Sequence, residues 1–501
     1  MTDPSSRRAP LDLPPNEFRA LGHSLVDRIA DFLATWPERP VTTGAAPSAI
    51  RERVGRRPLP QTGAPPDALL RDAATLLFDH SLHNGHPRFF GYITSSAAPI
   101  GMLADLLAAS VNPNVGGYSL SPVATEIERQ TVSWIAEMIG YAPGAGGILV
   151  SGGNMANFVC FLAARRAKAG VDVRTAGIAA PESRRLRVYA SEETHTWIQK
   201  AADLFGLGTD AIRWIPTDAR LRMDVAALER RIDADASAGE KPMLVVGTAG
   251  SVGTGAVDPL DRIRDVCRER GLWFHADGAY GAFAAAVPEE RERFRGLADA
   301  DSVALDPHKW LYAPLEAGCA LVRDPEALRD AFSYHPPYYR MDDVGGEPAM
   351  NFHEYGPQNS RGFRALKVWL ALQQVGREGY VRMISDDIAL TRRLFRAAEA
   401  EPEIETFTCD LSIATFRYAP ADLGGGPERE AFLNELNEAL ATRLQDGGEA
   451  FVSNAMIDGK FALRACIVNF RTSAADVEVL PRIVARVGRE TYAAMKAERR
   501  G

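Results

Sequence analysis

From about residue 99 the chain alternates short apolar runs with helical stretches, and no other feature limits its fold as much. The runs are "GGILVSGG", "RLRVYAS", "MLVVGTAG", "LWFHAD" and "DSVALD", each a few residues long. Between them lie helical stretches such as "ANFVCFLAARRA" and "VDPLDRIRDVCRERG". In the second, Asp258 reads as the N-cap, Pro259 as the first helical residue and Gly271 as the stop. Short strands that alternate with helices pair in parallel and are buried on both faces. The expectation is an α/β fold with a mostly parallel sheet in a large domain over residues 99–373. Residues 374–501 mix long helices with strands such as "LSIATFRY" and "LRACIVNF", which predicts a small C-terminal α+β domain.

Residues 1–98 have a different character. "NEFRALGHSLVDRIADFLATW" places Phe18, Leu21, Leu25, Ile29 and Phe32 at helical spacing, with Asn16 as cap and Pro37 as stop. A stretch rich in Pro, Gly and Arg follows. One striped helix with such a tail has no core of its own to enter. It predicts an N-terminal helical arm that clasps a partner subunit.

Parallel sheets bind ligands beyond the carboxyl ends of their strands, so the residues that follow each run matter most. "GILV" leads into Ser151-Gly152-Gly153-Asn154 and then a helix, a pattern suited to a phosphate. "RVYAS" leads to His195, "MLVV" to Thr248, "WFHA" to Asp277 and Ala279, and "DSVALD" to His308 and Lys309. Each has an ordinary explanation by itself: a tight turn, a structural histidine, a solvated lysine. Together they bring a phosphate cradle, an imidazole, a hydroxyl, a carboxylate and an amine to one edge. Pyridoxal 5'-phosphate needs a lysine for its Schiff base, an acid at its ring nitrogen and an anion site. "GTAGSVGTG" contains neither GxGxxG nor a GK[ST], and no HExxH or Cys/His cluster suggests a metal.

Composition narrows the partners. The 501 residues are 46% apolar and 24% charged, ordinary for a globular protein, and the net charge is −8. An acidic chain does not offer a nucleic-acid surface or a basic membrane patch. The five scattered cysteines and the absence of an apolar leader or spanning run point to a reducing cytoplasm.

The chain resembles the group II pyridoxal-phosphate decarboxylases, the aromatic-L-amino-acid decarboxylase-like branch of the fold type I enzymes. The resemblance is carried by "HPRFFGY", "LSPVATEIE", "VSGGNMAN", "SEETHTW", "GTAGSVGTGAVDP", "HADGAYG", "DPHKWL" and "SRGFRALKVW", in family order. It implies that Lys309 is the Schiff-base lysine and Asp277 the partner of the ring nitrogen. His195 would stack on the ring and assist proton movement, and Thr248 and Ala279 would pack against it. Gly153, Asn154 and His308 would lie near the phosphate. It also implies an obligate homodimer and an L-amino acid as substrate, released as amine and CO2.

The sequence departs from the family pattern at two places. The aromatic "YFP" after "HPxFFA" is Tyr92-Ile93-Thr94 here, so one aromatic wall of the substrate pocket is missing. Residues 334–358 read as a lid, in which the family carries a catalytic tyrosine. Aligned on "SRGFR", that position holds Phe352. A phenyl ring has no proton to donate, which opens an alternative: decarboxylation coupled to oxidative deamination, giving an aldehyde. Tyr338, Tyr339 and Tyr355 are the nearby hydroxyls that could substitute.

Overall fold

The computed structural model describes residues 9–56, 58–178, 180, 183–334, 343–344, 346–423 and 426–499. A seven-stranded sheet fills the middle of the chain. Its strands are β1 (Gly146–Val150), β2 (Leu186–Ser191), β3 (Ile212–Ile215), β4 (Lys241–Thr248), β5 (Trp273–Asp277), β6 (Ser302–Leu305) and β7 (Gly318–Val322). They lie in the order β1-β7-β6-β5-β4-β2-β3. The β2–β3, β2–β4, β4–β5 and β5–β6 pairs are parallel, and only β7 runs against its neighbours. The five apolar runs of the sequence are all strands. The other two, "IRWI" and "GCALV", gave no clear signal: the first is four residues long, contains Arg213 and forms the sheet edge.

Successive strand residues face opposite sides of a sheet. Here both sides are covered. Val245, Phe274, Val303 and Leu305 enter one apolar layer, while Leu244, Val246, Val188 and Ala304 enter the other. This explains why the strands read as continuous apolar runs rather than alternating ones. Helix α2 (Gly153–Lys168) packs on the second layer through Ala156, Val159, Cys160 and Ala163, all fully buried.

A second sheet is built by antiparallel strands Ile404–Asp410, Ile413–Tyr418, Phe451–Ile457 and Lys460–Cys466. Phe89 and Phe90 join its edge, parallel to Phe451 and Val452. Residues counted with the N-terminal arm thus complete the C-terminal sheet, and two residues are too few to show a strand period. The long helix α4 (Ala365–Glu399) crosses from the large sheet to the small one. Its backbone breaks at Gly376 (φ 68°, ψ 167°), close to the boundary read at 373/374.

At the N-terminus, α1 (Pro15–Ala34) starts at Pro15 rather than after an Asn16 cap, and none of its residues is buried. Asp258 also behaves differently from a cap. Its helix, Leu260–Arg270, ends at a left-handed Gly271 as expected, but the Asp258 carboxylate accepts from the backbone N–H of Met223 (2.7 Å) and Thr248 (2.8 Å). It ties down the end of β4 instead of starting the helix. No helix among the described residues is long and apolar enough to cross a membrane.

Candidate active site

Strand register builds the site. Thr248 is paired with Asp277, and Asp277 with Ala304, so β4, β5 and β6 end at one level. Beyond β6 the chain turns through Asp306 to Lys309, whose N–H donates to Asp306 O at 2.8 Å. The turn brings the Lys309 ammonium to 3.0 Å from Asp306 Oδ2, a carboxylate that is almost fully buried. Asp306 Oδ1 has no hydrogen-bond partner among the described residues.

The start of α2 lies against this turn. Gly152 has φ +124°, a left-handed conformation open to glycine. A side chain at Gly153 would come within 2.6 Å of Asp306 Oδ2 and 3.1 Å of Ala279 Cβ. A Cβ at Gly152 would face His308 at 3.4 Å. The two glycines therefore keep a cradle free beside the first N–H groups of the helix, which have no acceptor within it. His308 is fixed at 2.7 Å from Ala317 O, and burial, ahead of the opposing pull of Asp306, lowers its pKa.

Asp277 is buried at the end of β5. Its Oδ2 accepts from Trp197 Nε1 at 2.6 Å, and its Oδ1 from the Ala279 N–H at 3.2 Å and Asn157 Nδ2 at 3.4 Å. Trp197 opens helix α3 (Trp197–Leu204), and its backbone N–H donates to His195 Nδ1 at 3.2 Å. The neutral imidazole therefore carries its proton on Nε2. Loss of hydration lowers the His195 pKa, against the raising effect of Asp277, while Lys309 lowers it further. Thr248 Oγ1 lies 3.4 Å from Thr194 Oγ1, one residue before His195.

Seven of the residues singled out in the sequence thus surround one strand-end region: Lys309, His308, Asp277, Ala279, Gly153, Thr248 and His195. Asn154 sits in the first turn of α2 beside them. Phe352 belongs elsewhere. It is 1% exposed in the apolar layer that includes Ile148 and Val150, with the Arg361 guanidinium 4.8 Å above its ring. The turn that holds it is anchored by His353 N–H to Gly116 O (2.9 Å) and by Tyr118 N–H to Asn351 Oδ1 (3.0 Å). In this structure the ring packs in the apolar layer and away from the Lys309 turn. Tyr355 shares the turn, its ring 6.3 Å from that of Phe352. Tyr338 and Tyr339 lie outside the described residues. The sequence reading missed Asp306, Asn157 and Trp197. Asp306 had a signal, since it stands three residues before Lys309 in one turn.

Comparison with known proteins decides the family. The sequence profile of the pyridoxal-dependent decarboxylase conserved domain matches residues 51–418. The chain belongs to the pyridoxal-dependent decarboxylase family. It is 33% identical over 464 residues to an aromatic-L-amino-acid decarboxylase of Bacillus atrophaeus, covering 92% of this chain and 94% of that one. A phenylacetaldehyde synthase of a Rosa hybrid cultivar is 28% identical over 465 residues, covering 91% of this chain and 90% of the relative. Among solved structures, Oryza sativa TDC with PLP and tryptamine superposes with a TM-score of 0.88 at 27% identity, covering 97% of this chain and 99% of the other. The fold is that of the fold type I PLP enzymes. This decarboxylase is a carbon–carbon lyase that uses pyridoxal 5'-phosphate. The residues present fit that group: a side-chain-free cradle at a helix N-terminus suits a phosphate, Lys309 would supply the amine, and Asp277 would offer a buried acceptor to the ring nitrogen.

Proposed function

We propose that the protein converts an L-amino acid with an aromatic side chain to its amine and CO2, as a homodimer in the cytoplasm, with Lys309, Asp277 and His195 as the working groups. The observation that carries this reading is the convergence of Lys309 after β6, Asp277 at the end of β5 and the glycine cradle after β1, where Gly153 lies against Asp306 and Ala279. When bound, the cofactor draws off the electron pair left on the substrate α-carbon as CO2 departs. Lys309 would hold the cofactor through its Nζ, which Asp306 keeps at the cradle. Asp277 would accept from the protonated ring nitrogen. His195 carries its proton on Nε2, the nitrogen not tied to the α3 backbone, and so can donate toward the substrate. Gly153, Asn154 and His308 would frame the phosphate, and Thr248 and Ala279 would border the ring.

The aromatic substrate is supported by the names of the relatives. Ile93 and Thr94 stand where the family pattern carries an aromatic wall, which counts against an indole or catechol side chain. The oxidative alternative, decarboxylation coupled to deamination, is supported by the aldehyde synthases among the relatives. The test is to incubate purified protein and cofactor with each aromatic and aliphatic L-amino acid, following CO2, oxygen uptake, peroxide and organic product. Amine and CO2 in equal amounts without oxygen uptake is the expected result. Aldehyde with ammonia and peroxide would establish the oxidative route, and no CO2 from any amino acid would contradict the proposal.

The partner subunit is argued from surface chemistry. α1 exposes Phe18 and Val26, the helix Pro66–His80 exposes Leu69, Leu70 and Leu77, and the helix Pro99–Val111 exposes Leu103, Leu106, Leu107 and Val111. Monomeric proteins rarely leave so many large apolar side chains together on one region of the chain. A second copy is the occupant that suits them.

A further inference from the structure

A carboxylate has about four lone-pair positions. At Asp277 three are taken by the protein: Trp197 Nε1, the Ala279 N–H and Asn157 Nδ2. One remains for the ring nitrogen. The shortest of the three contacts, at 2.6 Å, comes from a wholly buried indole whose N–H can only donate. The weakest, from Asn157, is held by a chain of groups behind it.

That chain has a fixed direction. Trp273 Nε1 donates to Ser302 Oγ at 2.8 Å. Ser302 Oγ lies 2.8 Å from His275 Nδ1, and His275 Nε2 lies 2.7 Å from Asn157 Oδ1. Asn157 must turn its NH2 toward Asp277 and Gly153 O, because both are acceptors. Its oxygen then accepts from His275, so the His275 proton sits on Nε2 and Nδ1 accepts the Ser302 hydroxyl. Complete burial lowers the His275 pKa to about 4, which keeps the ring neutral and this arrangement intact at neutral pH. Trp197 meets the His275 ring edge-on at 5.6 Å, so the two supports of Asp277 also pack together. His275 and Asp277 are two residues apart on one strand and so share a face of the sheet.

We propose that Trp197 is a positioning residue for the cofactor ring: its N–H, together with the Asn157 amide set by His275, occupies the lone pairs of Asp277 that do not face the ring nitrogen and so aims the remaining one. The inference rests on the role assigned to Asp277. Trp197 fixes the acid's orientation without touching substrate, and this separates it from the working groups.

The test uses holoenzyme loaded with PLP labelled with 15N in the ring. Trp197→Phe keeps the buried aromatic ring and removes the N–H, and placing β-(3-benzothienyl)alanine at 197 does so at nearly constant volume. Wild type should show a protonated ring nitrogen. Both replacements should move the 15N resonance toward the unprotonated position, weaken the PLP Kd about tenfold, as expected for a lost hydrogen bond to a charged group, and lower kcat more than they change KM. In an Asp277→Asn background the same replacements should add little, because the partner they act through is gone. If Asp277→Asn itself leaves the nitrogen protonated, the role of Asp277 fails. If Asp277→Asn moves the resonance and the benzothienyl protein does not, or if its effect adds fully to Asp277→Asn, Trp197 is merely a packing residue and the inference is overturned.

Discussion

Asp277 and Phe352 show what single residues decide here. Asp277 accepts from three donors in a buried setting, which offsets the cost of burying a carboxylate there. Asp277→Ala should leave the fold largely intact and lower kcat by at least about a hundredfold, roughly 3 kcal/mol at about 1.4 kcal/mol per factor of ten. Near-normal turnover in that variant would assign the acid a structural role only. Phe352 behaves in the opposite way. In Phe352→Tyr the added hydroxyl enters closed packing under Arg361, at a cost of about 1–3 kcal/mol. Denaturant unfolding should show that loss, with oxygen uptake and product unchanged from wild type. Aldehyde and oxygen uptake in wild type that give way to amine in Phe352→Tyr would restore Phe352 to the site. The motif "DPHK" and the residues after each strand were legible in the sequence because each strand end is marked by small or charged residues. The place of Phe352 was not, since an ungapped count from "SRGFR" says nothing about which side chains the core encloses.

The loop from Asp306 to Pro314 and the helix α4 are joined by one buried carboxyl. Asp387 Oδ2 accepts from Trp310 Nε1 (3.0 Å) and Tyr312 OH (2.7 Å), both just past Lys309. Burial raises its pKa to about 7, against about 3.9 for an unperturbed aspartate. Between those values the folded chain binds a proton that the unfolded chain has lost, so this group's contribution makes stability fall as pH rises from about 4 to about 7. At about 1.4 kcal/mol per pH unit the fall is roughly 4 kcal/mol, and Asp387→Asn should remove it. Urea unfolding of wild type and variant across pH 5 to 8 reads the difference. Parallel slopes in the two proteins would mean that Asp387 is not the group responsible. At this scale the strands were readable from their double-sided burial and the α1 helix from its stripe. The Asp258 cap was misread because a local rule cannot see the distant N–H groups of Met223 and Thr248 that claim the carboxylate.

The molecule combines a large sheet that builds the site with a smaller sheet whose edge strand, Phe89–Phe90, comes from far upstream in sequence. Such pairing over some 360 residues of chain has no local signature. The α/β class was nonetheless legible, because the alternation of strands and helices leaves few other packings. The exposed apolar arm belongs to the same scale. Deleting residues 1–36 should expose the surfaces that α1 would cover in a dimer and give dissociation or aggregation by light scattering; a stable, active dimer without them would refute the clasp. All of these parts converge on one claim, that the strand ends present Lys309 to the cofactor. Reducing the PLP-loaded protein with borohydride, digesting it and sequencing the labelled peptide tests this most directly. The expected result is a single modified peptide with the cofactor fixed on Lys309, and loss of labelling in Lys309→Ala. Labelling of a different lysine, or persistence of the label in that variant, would contradict it.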